Sequence, residues 1–119
     1  MATRILVIDD DRGIADSLKT ILESAGYDCA VTYNGADALR FAPTFCPNLV
    51  ISDVIMPGMS GIELASRLQA SDPSVRVLLL SGNAATEELL TDAGGHALLV
   101  LAKPYSPREL LRVVREVTT

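Results

Sequence analysis

Unbroken apolar runs and helical periodicities alternate along this chain. Ile5-Leu6-Val7-Ile8, Leu49-Val50-Ile51, Val77-Leu78-Leu79-Leu80 and Leu98-Leu99-Val100-Leu101-Ala102 are short, continuous and aliphatic, the pattern of strands covered on both faces. Between them the spacing changes. Ile14, Leu18, Ile21, Leu22 and Ala25 fall at helical intervals, and Gly26 stands where a C-terminal cap belongs. Tyr27 to Val31 reads as the second strand, Asn34 caps a short helix through Phe41, and Pro43 and Pro47 bracket the loop into the third strand. Met56-Pro57-Gly58-Met59-Ser60-Gly61 is a turn; Ser60 and Glu63 then have capping-box spacing for a helix to about Ala70, and Asp72-Pro73 turns the chain into the fourth strand. A fourth helix falls between Ser81 and Leu98, short or mobile around Gly94-Gly95. A second capping box, Ser106-Pro107-Arg108-Glu109, opens the last helix, whose apolar face is Leu110, Val113, Val114 and Val117. Strands alternating with helices in five pairs predict a parallel sheet covered on both faces, a doubly wound α/β domain.

The chemistry gathers where the strands stop. The first is followed by Asp9-Asp10-Asp11, the third by Ser52-Asp53, the fourth by Ser81 and the fifth by Lys103. In open α/β sheets ligands bind outside the C-terminal ends of the strands, so acids placed there suggest a cation site. Crowded carboxylates resist joint ionisation, and Lys103 and a divalent cation would relieve that repulsion. Asp11 is read as the cap of the first helix, adding to the field without touching metal.

At 119 residues and 49% hydrophobic, the chain suits a single domain over 1–119 that buries its core without staples. Cys29 and Cys46 lack metal-ligand spacing and are expected as reduced structural thiols. No signal peptide or membrane-length apolar run is visible, which favours a cytoplasmic protein. A net charge of −5, without a basic stripe or aromatic platform, argues against direct nucleic acid binding. The sole histidine, His96, follows Gly94-Gly95 in a loop and reads as a surface residue rather than a phosphodonor; Met56 and Met59 read as packing residues.

Asp9-Asp10, Asp53 followed by Met56-Pro57-Gly58, Ser81-Gly82 and Lys103-Pro104-Tyr105, in that order at successive strand ends, resemble the receiver domain of two-component response regulators over nearly the whole chain. The resemblance implies a flavodoxin-like sheet in the order 2-1-3-4-5, which sets strands one and three side by side. It makes Asp53 the nucleophile that takes a phosphoryl group from a phosphohistidine of a sensor histidine kinase or a histidine phosphotransfer protein. Asp10, Asp53 and, through water, Asp9 would hold Mg²⁺ or Mn²⁺ with the main-chain carbonyl of Ile55. Lys103 would pair with one phosphoryl oxygen and the Ser81 hydroxyl with another, helped by backbone amides near Val54 and Gly82. The resemblance also implies a cis peptide before Pro104, a switch that controls a downstream protein or an attached output domain, and a possible homodimer through the fourth helix, fifth strand and fifth helix.

Two positions depart from the family's habit. Val100 stands three residues before the lysine, where receivers often carry an aromatic that swings inward, and valine is too short for that movement. Ile55 and Asn83 occupy the positions that modulate attack of water on the acyl phosphate; Ile55 cannot orient a water, which predicts a longer phosphorylated lifetime than Asn or Asp there would give. A haloacid-dehalogenase-type phosphohydrolase shares the Asp-x-Asp spacing of Asp9-Asp10-Asp11, but it would leave Asp53 idle and lacks a cap domain and a second acidic pair after Lys103. A phosphate-independent interaction module on the same fold is the other alternative, and the intact set of site residues argues against it.

Overall fold

The computed structural model describes residues 2–82 and 99–119. Five strands, β1 (Arg4–Ile8), β2 (Asp28–Thr32), β3 (Leu49–Asp53), β4 (Arg76–Ser81) and β5 (Leu99–Ala102), form one parallel sheet in the order β2-β1-β3-β4-β5. This is the flavodoxin-like order. The helices are α1 (Arg12–Ser24), α2 (Gly35–Phe45), α3 (Gly61–Ser71) and a C-terminal helix (Pro107–Thr118). The expected fourth helix lies outside the described residues, as do Asn83, Gly94-Gly95, His96 and Leu98.

The two-residue period of each strand divides the core between the faces of the sheet. Ile5, Val7, Leu49, Ile51, Leu78 and Leu80 pack with Ala15, Leu18 and Leu22 of α1 and with Leu110, Val114 and Val117 of the C-terminal helix. Their alternates, Leu6, Ile8, Val50, Val77 and Leu79, pack with Ala38 and Ala42 of α2 and with Leu64, Ala65 and Leu68 of α3. Both faces are therefore covered, as the continuous aliphatic runs require.

Each described helix begins at a side-chain cap: Asp11, Asn34, Ser60 and Ser106 accept from the N–H groups of Ile14, Asp37, Glu63 and Glu109. Gly26, just beyond α1, has φ +94°, the left-handed region that glycine adopts without strain. One boundary differs from the expectation. Helix α2 does not stop at Phe41 but runs through Pro43 to Phe45. Burial of Ala42, the stacked rings of Phe41 and Phe45 at 5.3 Å, and a closing Cys46 N–H to Ala42 carbonyl bond of 2.8 Å hold this last turn despite the missing proline N–H.

Candidate functional site

The register decides which carboxylates meet. Ile8 is paired with Ser52, so the residues that follow, Asp9 and Asp53, leave neighbouring strands side by side. Asp9, Asp10 and Asp53 each offer a carboxylate oxygen, and these lie within 4.8 Å of one another. Asp9 is only 2% exposed. Its Oδ1 accepts the Asp11 N–H at 2.9 Å, whereas its Oδ2 is buried with no hydrogen-bond partner. A buried carboxylate oxygen without a partner is costly, and a cation beside it would remove that cost. Burial above all raises the Asp9 pKa, and the charges of Asp53 and Asp10 add to the rise; the Asp11 N–H and Lys103 oppose it. An all-carboxylate donor set fits a hard divalent ion such as Mg²⁺ or Mn²⁺.

The positive partner arrives from the other side of β3. The Lys103 N–H donates to the Ser81 carbonyl at 2.8 Å, continuing the β4–β5 ladder past its Ser81–Ala102 pair, and the Lys103 Nζ makes an ion pair with Asp53 Oδ1. The Lys103–Pro104 bond is cis. Ser81, 9% exposed, ends β4, the strand next to β3, one residue beyond Leu80, the register partner of Asp53. Tyr105, two residues beyond Lys103, packs against the core; burial raises its pKa first, with the negative charges of Asp9 and Asp53 behind it.

Asp9, Asp10, Asp53 and Lys103 are thus drawn together, with Ser81 at the adjoining strand end, while Asp11 is spent on capping α1. Ile55 follows β3 and is 64% exposed. The Val54 N–H donates to the Leu80 carbonyl at 3.1 Å, so the sheet itself uses that amide. Met56 is buried and Met59 packs against the core, as packing residues do. Cys29 and Cys46 are both free thiols.

Gly61 is a site residue that sequence reasoning missed. A Cβ there would press on the Asp53 carbonyl oxygen and lie 3.0 Å from the carbonyl carbon, so the first turn of α3 touches the backbone of Asp53 only because residue 61 is glycine. The turn-forming composition around it was visible in the chain; a close approach between two backbones leaves no separate mark there.

Residues 5–115 match the family model of the response regulator receiver domain. The DNA-binding response regulator MtrA of Mycobacterium tuberculosis (strain ATCC 25618 / H37Rv) is 36% identical over 115 residues, which are 97% of this chain and 50% of that protein. The response regulator MprA of Mycobacterium ulcerans (strain Agy99) is 31% identical over the same length, again 97% of this chain and 50% of the relative. The chain spans about half the length of the curated relatives it matches. Among solved structures, a CheY-like receiver domain protein from Methanospirillum hungatei JF-1 superposes with a TM-score of 0.85 at 32% identity, covering 98% of this chain and 93% of that one. Chemotaxis protein CheY4 of Vibrio cholerae gives a TM-score of 0.85 at 30% identity, covering 98% and 99%. With its strand order, its acidic cluster and these relatives in agreement, the chain belongs to the response regulator receiver domain family.

Proposed function

We propose that this chain, acting as one domain over 1–119, accepts a phosphoryl group on Asp53 from a phosphohistidine of a sensor histidine kinase or histidine phosphotransfer protein. The observation that carries the reading is the carboxylate of Asp53 held between the Lys103 ammonium on one side and the Asp9 and Asp10 carboxylates on the other. An Asp53 oxygen attacks phosphorus, the P–O bond forms as the P–N bond breaks, and the departing imidazole nitrogen keeps the electron pair and takes a proton from solvent. Phosphoryl transfer needs mainly positioning and positive charge around the transferred oxygens. Lys103 supplies part of that charge by exchanging its Asp53 oxygen for a phosphoryl oxygen, and Ser81 donates its hydroxyl to another. Mg²⁺ or Mn²⁺, held by Asp9, Asp10, Asp53 and the Ile55 carbonyl, would neutralise charge on the phosphoryl group when bound.

The phosphorylated form would act on a downstream protein or an attached output domain, with β5 and the C-terminal helix contributing to the contact face or to a homodimer. An acidic chain of net charge −5 is suited to protein contacts rather than to nucleic acid, although MtrA is a DNA-binding response regulator. Among the described residues no helix is long and apolar enough to cross a membrane; we place the protein in the cytoplasm. A phosphohydrolase using Asp9 as its nucleophile is poorly supported, because Asp9 is buried and the lysine pairs with Asp53 instead.

The test is intact mass after incubation with acetyl phosphate and Mg²⁺, beside Asp53→Asn and a metal-free sample. One added phosphoryl group that requires both Asp53 and the metal is expected. A folded protein that gains none and releases no inorganic phosphate would overturn the reading in favour of a phosphate-independent interaction module.

A further inference from the structure

Ser52 is a polar residue in an aliphatic layer. It precedes Asp53, is 1% exposed, and has Ile8 on β1 and Leu79 on β4 as its register partners. The alternation of β3 sets it on the face of Val50, among the side chains that meet α2 and α3. A hydroxyl buried there is costly unless it is hydrogen-bonded. Its Oγ donates to the Asp53 carbonyl at 2.9 Å and lies 3.8 Å from Met56 Sδ. Both ends of one peptide unit are thereby held. The oxygen of the Asp53–Val54 peptide takes the Ser52 hydroxyl, and the N–H of the same peptide donates to the Leu80 carbonyl at 3.1 Å. Gly61 covers this point: a Cβ there would lie 3.1 Å from Ser52 Oγ as well as pressing on the Asp53 carbonyl oxygen.

We infer that Ser52 is a positioning residue for phosphoryl transfer, an inference that rests on the phosphoacceptor role proposed above for Asp53. A peptide unit is planar, so holding its oxygen and its N–H fixes the plane to which the Asp53 α-carbon belongs. From that α-carbon the carboxylate reaches Lys103 on one side and the Asp9 and Asp10 carboxylates on the other. Without the hydroxyl, the carbonyl loses its donor and faces the α-carbon of Gly61. An acceptor stripped of its partner favours rotation towards another, and the peptide is then free to turn about its remaining bond to Leu80. The Asp53 α-carbon tips with it. Attack on phosphorus demands the carboxylate oxygen in one place, and a misplacement of about 1 Å can slow a reaction about a hundredfold. Ser52 acts through Asp53 and touches no reacting atom itself.

The test is the rate of phosphoryl gain by intact mass, at fixed acetyl phosphate and Mg²⁺ and at a temperature where circular dichroism shows every variant folded. Ser52→Ala should slow it about tenfold, the effect of a displacement well short of 1 Å. Ser52→Cys keeps the volume but offers only a weak donor, and should be slow as well. Val50→Ala is the control for packing alone. It empties a fully buried position on the same face of the same strand, two residues back, and should cost stability while leaving the rate of folded protein at the wild-type value. A wild-type rate in Ser52→Ala overturns the inference, as does a wild-type rate in Ser52→Cys, which would make volume rather than the hydrogen bond decisive. Val50→Ala as slow as Ser52→Ala overturns it too, because the rate would then follow core packing. In all three cases the role of Asp53 stands. Wild-type protein that gains no phosphoryl group overturns both.

Discussion

At Gly61 the substituent that matters is a hydrogen atom. Its N–H donates to the Val54 carbonyl at 2.8 Å while its α-carbon rests against the backbone of Asp53, atoms that cannot swing aside as a side chain would. Gly61→Ala must push α3 off the end of β3, at a cost of about 2 kcal/mol or more in urea denaturation. Phosphorylation of the folded fraction should slow as well, because the displaced backbone is that of the phosphoacceptor proposed above. A variant as stable and as reactive as wild type would remove Gly61 from the site. Cys29 illustrates burial acting on chemistry. Burial, with the charge of Glu23 behind it, pushes its thiol up to about 12. Unfolded, the same thiol loses its proton near about 8.5, so the contribution to stability is complete below that pH and is lost as pH rises towards about 12. The fall in unfolding free energy over this alkaline window should be shallower in Cys29→Ala than in wild type. Equal slopes would show that Cys29 does not set it.

Caps and turns were legible at the scale of elements because they are local. Asp11, Asn34, Ser60 and Ser106 each bond an N–H three residues on, within reach of a single turn. Asn34 does so twice over, accepting from the Asp37 N–H at 2.8 Å and donating to the Asp37 carboxylate at 2.9 Å. Asn34→Ala should therefore lower stability by about 1 kcal/mol, measured by denaturation, and leave the acceptance of phosphate by folded protein unchanged. The end of α2 was not legible, and the reason is equally physical. Pro43 is a strong local signal for stopping, but Ala42 is buried against the sheet and Phe41 stacks on Phe45. The packing of Ala42 on distant strand residues, with the Phe41–Phe45 stack inside the helix, outweighs one absent hydrogen bond.

For the molecule as a whole, the crowded acids predict a stability that depends on metal. Free Mg²⁺ at about a hundred times its dissociation constant should add about 2.7 kcal/mol, a rise of several degrees in Tm. Asp10→Asn should raise the metal-free Tm, because it removes one of three mutually repelling carboxylates, and should erase both the Mg²⁺ increment and phosphorylation. Melting curves that do not respond to millimolar Mg²⁺ would contradict this. The amino-acid sequence by itself determined the alternation of buried strands and helices, the helix starts, and the presence of Asp, Asp, Ser and Lys at successive strand ends, since all of these follow from periods and spacings along the chain. The strand order reached Asp53 and Asp9 only through family resemblance. What the tertiary structure alone decided are the relations between segments remote in sequence: the unpartnered oxygen of Asp9, the engagement of the Val54 amide by Leu80, the contact of Gly61 with the Asp53 backbone, and the seating of Arg12 on Tyr33. Each depends on where the sheet places two distant residues, and spacing along a chain carries no measure of that distance.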